Sequence, residues 1–517
     1  MGLARTRSVT LVGVHGIPVE VEADLAAGLP GFTLVGLPDE ALSESRDRVR
    51  AAVTNSGESW PQRRITASLC PASVPKRGSG FDLPLACVVL AAAGALPPDA
   101  LAGLVILGEL GLDGRVRPVR GVLPAVLAAA AAGSSRIVVP AGNAAEAALV
   151  PDMEVIAARS LRQVLALLRG EPEPVDVALP EEVSSDPGAA PFGAPPDLAD
   201  VRGQFVARRA LEVCAAGGHH LLLHGAPGGG KTMLAERLPG LLPPLEHARA
   251  LEVTAIHSVA GTLPSPSPLI TIPPFQAPHH TATVVAMVGG GSGVIRPGAV
   301  SLAHGGVLFL DEAPQFPAIA LDALRQPLES GEVVISRSCG VVSFPARFLL
   351  VLAANPCPCG LSGGKGSACQ CSATARRRYW ARLSGPLLDR VDVRVAMPPV
   401  SRVELLSEIS RSETSGVVAA RIRQARERAR QRFTGTPWRC NAEVPGRQLR
   451  SCWRPAAGAL TLMETALERG LLTARGLDRV LRVAWTLADL AGHGQPVKDD
   501  VSAALYYRTE IGQGALE

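Results

Sequence analysis

Aromatic residues are scarce in this sequence, where Phe, Trp and Tyr together make up only 3% of 517 residues. Proteins that grip single-stranded nucleic acid commonly stack its bases on such rings. The composition therefore excludes an extensive stacking surface. A strong excess of one charge sign is also missing, because the formal net charge is +4. Any contact with nucleic acid must rest on local basic runs rather than on the total charge.

Long apolar runs are missing as well. No uncharged run reaches the roughly 18 residues that a bilayer-spanning helix needs, and the alanine-rich stretch at 122–132 is too short and predicts a buried helix. The first residues lead directly into strand-like alternation, without the apolar core and cleavage site of a signal peptide. We therefore expect a cytoplasmic protein with no membrane partner. Its ten cysteines should be reduced thiols or metal ligands rather than disulfides.

One apolar run, beginning at Leu221, breaks into glycines and ends in a lysine and a threonine. The pattern G-x-x-x-x-G-K-[ST] places backbone N–H groups around phosphate oxygens, and the following helix adds its positive end. Lys231 is predicted to reach the β and γ phosphates, and the Thr232 hydroxyl to hold Mg²⁺. The alternative is a glycine turn that binds nothing. The matching residues are Gly225, Ala226, Pro227, Gly228, Gly229, Gly230, Lys231 and Thr232.

A second motif consists of the apolar residues 307–310 followed by two carboxylates, Asp311 and Glu312. A buried parallel strand delivers such acids to its C-terminal edge, where α/β sheets bind ligands. Asp311 is predicted to hold Mg²⁺ and Glu312 to polarise the attacking water. A plain core strand capped by solvated acids is the alternative. Together the two motifs predict an ATPase that uses ATP and Mg²⁺.

Two pairs of cysteines follow the second motif. Four thiolates suit tetrahedral Zn²⁺, although their C-x-C spacing is tighter than the usual C-x₂-C. Two interpretations stay open, a structural zinc site and a set of free reduced thiols. The residues are Cys357, Cys359, Cys369 and Cys371.

The chain length predicts about three domains. Residues 8–36 alternate apolar and polar positions, with predicted turns at 16–18 and 28–31, and so indicate a β-rich beginning. A stretch rich in Pro, Ala, Glu and Asp has little apolar periodicity and predicts a linker. The predicted class is α/β, divided into a compact α/β domain at 1–170, a linker at 171–198, an ATPase core at 199–400 and a helical domain at 401–517.

Residues 75–80 and 121–129 resemble the proteolytic domain of Lon. Lon-type proteolysis needs a serine nucleophile and a lysine base. In the register of the resemblance, Gly80 stands at the serine position and Leu123 at the lysine position, while Ser79 lies one residue away without a base. The resemblance implies a ribosomal-S5-like fold that serves as a scaffold or partner surface, and no peptidase activity.

Four further segments carry a more specific resemblance. They are PFQAPHH at 274–280, VGGG at 288–291, SLAHGGVLFLDE at 301–312 and NPCPCG at 355–360. This combination resembles the magnesium-chelatase-like AAA+ family typified by ComM and YifB, over nearly the whole chain. For the paired His279 and His280 we favour a structural or pore-loop role over metal binding.

The resemblance implies several further roles. Asn355 is the expected sensor 1, which orients the hydrolytic water beside Glu312. Arg390 is the expected arginine finger, inserted into a neighbouring subunit's site, and Arg475 in a C-terminal helical lid is the expected sensor 2. The hairpin at 328–344 is expected to face the pore of a homo-oligomeric ring, expected to be a hexamer.

The basic run at 376–382 contains both arginines and aromatic residues. It predicts either a nucleic-acid contact with the rings as stacking platforms or a solvated surface. By resemblance, the expected activity is DNA translocation on single-stranded or branched DNA, as a branch-migration helicase in recombination or natural transformation, together with recombination proteins. One alternative is a magnesium-chelatase-like ATPase that remodels a protein partner for metal insertion. A non-enzymatic adaptor is the other, and the intact Lys231 and Glu312 argue against it.

Overall fold

The structure is a computed structural model. Two predicted boundaries fall on parts that it does not describe, because most of the predicted linker at 171–198 and the start of the predicted helical domain at 401 lie outside the described residues. The described residues are 2–37, 39, 42, 44–76, 78–174, 195–264, 268–291, 295–337, 340–362, 369–400, 413–470 and 472–509.

The N-terminal region is built on a mixed seven-stranded sheet with the order β3-β4-β2-β1-β5-β8-β9. Its strands are β1 (Gly2–Val12), β2 (His15–Ala26), β3 (Gly31–Val35), β4 (Arg64–Cys70), β5 (Leu104–Ile106), β8 (Arg136–Pro140) and β9 (Glu154–Ala158). A separate short pair is formed by β6 (Glu109–Leu110) and β7 (Val116–Arg117). The helices are α1 (Ser45–Asn55), α2 (Asp82–Ala92), α3 (Val122–Ala131), α4 (Ala144–Ala147) and α5 (Leu161–Arg169).

The turn predicted at residues 16–18 is wrong, because those residues lie inside β2. The chain reverses at Gly13 instead, where φ is +67°, a conformation that glycine adopts without steric cost. Gly13 also lies tightly against the region predicted to be the ATPase core. A Cβ atom at this position would come within 2.8 Å of the Ser343 carbonyl oxygen and of a Val342 methyl group.

A parallel five-stranded sheet forms the centre of the predicted ATPase core, in the order β11-β14-β17-β10-β18. All six residues of β17 are buried, as expected for a strand covered on both faces. Leu221 and Leu223 pack on one side of the sheet and Leu222 on the other. The strands are β10 (Leu221–Gly225), β11 (Phe275–Gln276), β14 (Val307–Leu310), β17 (Leu349–Ala354) and β18 (Val393–Met397).

Short antiparallel pairs project from this core. They are β12 (Gly289–Gly290) with β13 (Arg296–Pro297), and β15 (Glu332–Arg337) with β16 (Gly340–Pro345). The helices of the core are α6 (Phe205–Gly217), α7 (Lys231–Leu241), α8 (His247–Ala260), α9 (Val284–Val288), α10 (Ala299–Leu302), α11 (Ala318–Asp322), α12 (Arg325–Ser330), α13 (Ala373–Trp380) and α14 (Gly385–Leu388).

The C-terminal region is helical. Its amphipathic helix α18 begins after Thr473, whose hydroxyl accepts a hydrogen bond from the Gly476 N–H at 3.1 Å, and ends at Gly492 with φ +82°. Its apolar face joins the same core cluster as Leu221 and Leu223. The helices are α15 (Ser415–Arg432), α16 (Gly446–Ser451), α17 (Ala457–Glu468), α18 (Ala474–Ala491) and α19 (Lys498–Thr509).

The predicted mixed α/β class, with a parallel sheet and a C-terminal helical domain, is confirmed. Among the helices of the described ranges, none combines the length and the apolar character needed to span a membrane.

Candidate active site

The loop between β10 and α7 has the geometry of a phosphate cradle. Gly228 and Gly230 have φ values of +77° and +86°, which non-glycine residues rarely adopt. Gly225 is required for a different reason, since a Cβ atom there would lie 2.2 Å from the Met397 carbonyl oxygen. Helix α7 begins directly at Lys231, so its free N–H groups face the loop. The backbone geometry and the sequence of this loop both suit an anion.

Lys231 lies under the loop with a side chain that is nearly buried. Its Nζ donates hydrogen bonds to the carbonyl oxygens of Gly225 at 2.7 Å and Ala226 at 3.0 Å, and to Asn355 Oδ1 at 3.0 Å. Burial lowers the pKa of Lys231, and the nearby Asp311 and Glu312 carboxylates act in the opposite direction. These partners are neutral dipoles, so the ammonium keeps the capacity to bind a phosphate oxygen.

The Mg²⁺ residues predicted from the two motifs lie together. Thr232 Oγ1 donates to Asp311 Oδ2 at 2.8 Å. A hydroxyl and a carboxylate are oxygen ligands of the kind that Mg²⁺ takes, with waters and phosphate oxygens completing its shell. Because this pair stands at the start of α7 beside the glycine loop, the residues fit an ATP–Mg²⁺ complex.

Glu312 follows Asp311 in a strained conformation. Its φ is +49°, which is rare for a residue with a side chain, and its N–H donates to Asp311 Oδ1 at 2.8 Å. Such strain often accompanies a functional site. The carboxylate remains 40% exposed, so water can reach it.

His280 is a neighbour of Glu312 that the sequence interpretation missed. Its Nδ1 lies 3.7 Å from Glu312 Oε2. The rings of His279 and His280 are 4.1 Å apart, but His279 Nδ1 contacts Thr281 Oγ1 at 2.8 Å instead. The signal that could have revealed this contact is the position of both segments just after adjacent parallel strands, β11 and β14, whose carboxyl ends share one edge.

Gln204 makes a further contact with the phosphate loop, from outside the two motifs. Its Nε2 donates to the carbonyl oxygens of Gly229 at 3.2 Å and Pro398 at 2.7 Å. The residue has φ +51° and directly precedes α6. The segment before α6 therefore contacts the phosphate loop itself.

Asn355 stands at the carboxyl end of β17, between Lys231 and the cysteine-rich turn. Besides accepting from Lys231, it donates its backbone N–H to the Tyr379 hydroxyl at 3.4 Å. Burial raises the pKa of Tyr379 to about 12, so its hydroxyl stays protonated. The position next to Lys231 is consistent with a sensor for the phosphate end of a nucleotide.

The four cysteines converge. Cys357 Sγ lies 3.3 Å from Cys359 Sγ, and both lie 3.6 Å from Cys369 Sγ. With Cys371 included, all four sulfur atoms are within 4.8 Å of one another. Four thiolates around Zn²⁺ at about 2.3 Å have sulfur atoms about 3.8 Å apart, so the cluster has the dimensions of a tetrahedral zinc site.

Arg390 lies close enough to Arg475 for their charges to interact, and neither residue forms a hydrogen bond with Lys231 in the described part of the chain. The Arg390 guanidinium forms an ion pair with Glu329, and its side chain is 14% exposed. Burial, together with the positive charges of Arg325, Arg479 and Arg475, lowers the pKa of Arg390. Within the described part of the chain, no hydrogen bond or ion pair joins either predicted residue to the phosphate loop.

The interpretation of Tyr379 and Trp380 as stacking platforms is wrong. Both side chains are buried, at 6% and 8% exposure, because they form the inner face at the end of α13. The Trp380 indole donates to the Pro356 carbonyl oxygen at 3.3 Å. Arg377 and Arg378 on the same helix are exposed.

The N-terminal region keeps a cavity where the resemblance to Lon placed a catalytic centre. The cavity has a volume of about 570 Å³ and is lined by Ser79 and Glu109, and by Val342 of the hairpin. The Ser79 hydroxyl donates to the Glu109 carboxylate. Leu123, at the expected position of the lysine base, is fully buried. Ser79 therefore has an acid beside it and no lysine at that position.

Three known families match most of the chain. The family described as "Subunit ChlI of Mg-chelatase" matches residues 21–143, and "Magnesium chelatase, subunit ChlI" matches 197–405. "Magnesium chelatase, subunit ChlI C-terminal" matches residues 412–508. The second match contains the glycine loop, both carboxylates, Asn355 and the cysteine cluster.

Full-length relatives agree with these matches. An uncharacterized protein of Mycobacterium tuberculosis (strain H37Rv) is 54% identical over 98% of this chain and 99% of its own. The protein YifB of Salmonella typhimurium is 40% identical over 98% of this chain and 97% of its own. Competence protein ComM of Haemophilus influenzae is 41% identical over 99% and 98%, respectively. The chain therefore belongs to the magnesium-chelatase-like AAA+ family that includes YifB and ComM.

Proposed function

We propose that this protein is an ATPase that hydrolyses ATP with Mg²⁺. The observation that supports this most directly is the convergence of Lys231, Thr232, Asp311 and Asn355 on one glycine loop. Mg²⁺ held by Thr232 and Asp311 would neutralise phosphate charge when bound. Lys231 binds phosphate oxygens, and Asn355 holds both Lys231 and the water in position. Glu312, half-exposed and fixed by its strained backbone, polarises that water.

We propose the domain limits 1–170, 171–198, 199–400 and 401–517, with a Lon-like first domain that acts as a scaffold. The protein works as a homo-oligomeric ring, in which Arg390 reaches the nucleotide of a neighbouring subunit and Arg475, as sensor 2, reaches the γ-phosphate across the domain cleft. Arg390 pairs with Glu329 rather than with a residue of its own phosphate loop, which supports its assignment. A cytoplasmic location stays a prediction.

The motor activity that we propose is translocation on single-stranded or branched DNA, with branch migration in recombination or natural transformation. The 41% identity to a protein named for competence supports this assignment, as do the exposed Arg377 and Arg378 beside the site. Recombination proteins are the partners expected in such a process. A second candidate, an ATPase that remodels a protein partner for metal insertion, is favoured by the magnesium-chelatase families that match the chain.

We also propose that the four-cysteine cluster binds Zn²⁺ as a structural ion. The separations between its sulfur atoms support this interpretation over free thiols.

The test is the rate of ATP hydrolysis with and without single-stranded and branched DNA, using Glu312→Gln as the blank. We expect turnover in the wild type, stimulated by DNA, and a decrease of at least about 100-fold in the blank, because general-base catalysis is lost. Lys231→Met should lose nucleotide binding, whereas Lys498→Met, an exposed lysine in α19, should not. Turnover that ignores every DNA tested would move the assignment to protein remodelling, and an active Glu312→Gln enzyme would contradict the ATPase site.

A further inference from the structure

The cysteine-rich turn contacts the phosphate loop directly. Gly360 has φ +77°, and a Cβ atom at this position would lie 2.5 Å from Cγ of Pro227. Its N–H donates to the Cys357 carbonyl oxygen at 3.0 Å, closing a tight turn over the two cysteines of the first pair. The backbone of Gly360 therefore packs directly against the ring of Pro227 in the glycine loop.

The same turn begins at the residue that holds Lys231. Asn355 is followed by Pro356, whose carbonyl oxygen accepts from Trp380, and by Cys357, which is fully buried. Only Pro356 thus separates Asn355, whose side-chain amide contacts Lys231, from Cys357 of the cluster. The turn contacts the nucleotide site at both ends, through Asn355 and through Pro227.

The second cysteine pair comes from outside this turn. Cys369 and Cys371 precede α13 and are only half-buried, and Cys359 is exposed. Little apolar burial is therefore available to hold these three side chains against Cys357, and thiols at such distances attract one another only weakly. A bound metal ion would hold the four side chains together much more strongly, because structural zinc contributes folding free energy directly.

We propose that Zn²⁺ bound by the four cysteines is a positioning element of the nucleotide site, which clamps the turn onto Pro227 and fixes Asn355 against Lys231. This inference rests on the proposed ATPase function and adds a metal requirement to it. Loss of zinc releases the turn, so the glycine loop and Asn355 lose their support while the parallel sheet remains folded.

The first experiment compares Cys371→Ser with Cys452→Ser, an exposed cysteine outside the cluster. Zinc per chain is measured on purified protein, and the Kd of a fluorescent ATP analogue is measured in excess Mg²⁺. We expect one zinc per chain in the wild type and in Cys452→Ser. In Cys371→Ser we expect loss of zinc and a Kd raised about 10-fold or more. Wild type that purifies without zinc and does not take it up would overturn the proposal.

A second pair of variants distinguishes the effect of the contact between Gly360 and Pro227 from the effect of the metal. Gly360→Ala places a methyl group against Pro227 and should weaken nucleotide binding while retaining zinc. Gly133→Ala has a similar φ of +79° but open space around it, so it controls for backbone strain alone. Equal nucleotide affinity in these two variants would argue against the clamp.

If Cys371→Ser does not fold, judged by its thermal unfolding, the wild type is stripped with a chelator that prefers zinc to Mg²⁺ and is then reloaded with zinc. We expect nucleotide affinity to fall and then to return. A zinc-free wild type that binds and hydrolyses ATP like the loaded protein would refute this inference alone. A zinc-loaded wild type that neither binds nor hydrolyses ATP would refute the proposed function instead.

Discussion

At the scale of single residues, the glycine loop shows how much a short pattern can specify. The spacing predicted Lys231, Thr232 and Asp311 as one group. In the structure Thr232 donates to Asp311 at 2.8 Å, and Lys231 donates to the Gly225 carbonyl oxygen of the same loop at 2.7 Å. The pattern does not predict the contact between His280 and Glu312, because that contact depends on the pairing of two strands that are distant in sequence. Contacts between distant segments were predictable only where a motif already linked them.

His280 leads to a prediction about turnover. We expect His280→Ala to lower the hydrolysis rate by about 10-fold with little change in nucleotide Kd, because a catalytic group that shifts by about 1 Å loses much of its effect. His279→Ala is the matched control, since its ring contacts Thr281 rather than Glu312. The measurements are steady-state hydrolysis and nucleotide binding. If the two variants behave alike, the contact between His280 and Glu312 does not position the base.

At the scale of elements, helix α13 shows where composition misleads. Its sequence combines arginines and aromatic residues, which is typical of a nucleic-acid surface. Helical geometry instead turns Tyr379 and Trp380 inward to support Asn355 and Pro356. Only knowledge of which face packs on the sheet distinguishes the two arrangements, and the short basic run carries no such information.

The exposed arginines of α13 give a prediction about DNA. Reversing both Arg377 and Arg378 to Glu should weaken DNA binding and reduce the slope of log K against log salt by about 1.4–1.8, because each phosphate contact contributes about 0.7–0.9. Binding is measured over a salt series with a labelled oligonucleotide. Reversal of Arg159 and Arg162, which are exposed in the N-terminal region, is the control of equal charge. An unchanged slope in the α13 variant would remove this helix from the DNA surface.

Arg390 gives a prediction about subunit contacts, because it follows α14 and pairs with Glu329 of α12. We expect Arg390→Ala to lower turnover by about 10³-fold, the loss typical of an arginine finger. Mixing this variant with Glu312→Gln should restore part of the activity, since some interfaces then combine an intact finger with an intact base. Hydrolysis by a verified mixed ring is the measurement. No recovery in such a ring would argue against action between subunits.

At the scale of the whole molecule, the α/β class was predictable because buried parallel strands appear as continuous apolar runs, as in β14 and β17. The packing of the regions against one another could not be predicted from the sequence. The C-terminal helices share one apolar cluster with Leu221 and Leu223, and no local pattern indicates which face of the sheet they cover.

Asp82 gives a prediction about global stability. Burial raises its pKa to about 6, and hydrogen bonds from Arg48 at 2.8 and 3.1 Å only partly oppose that effect. Since the unfolded value is about 3.9, the folded protein binds the proton more tightly, and stability should fall as pH rises from about 4 to 6. In the Asp82→Asn variant, this pH-dependent part of the stability should be absent. The measurement is the difference between the two thermal midpoints from pH 4 to 7, and a constant difference would contradict it.

The tight packing of Gly13 against Ser343 restricts how the N-terminal region can move relative to the β15–β16 hairpin. No space is left for even a methyl group there, so the first turn of the chain cannot slide independently across β16. A displacement of the β15–β16 hairpin must either carry the N-terminal sheet along or part the two surfaces and open the cavity between them. The N-terminal sheet is thus mechanically linked to the hairpin, and a spectroscopic probe attached beside that turn would report a displacement of the hairpin.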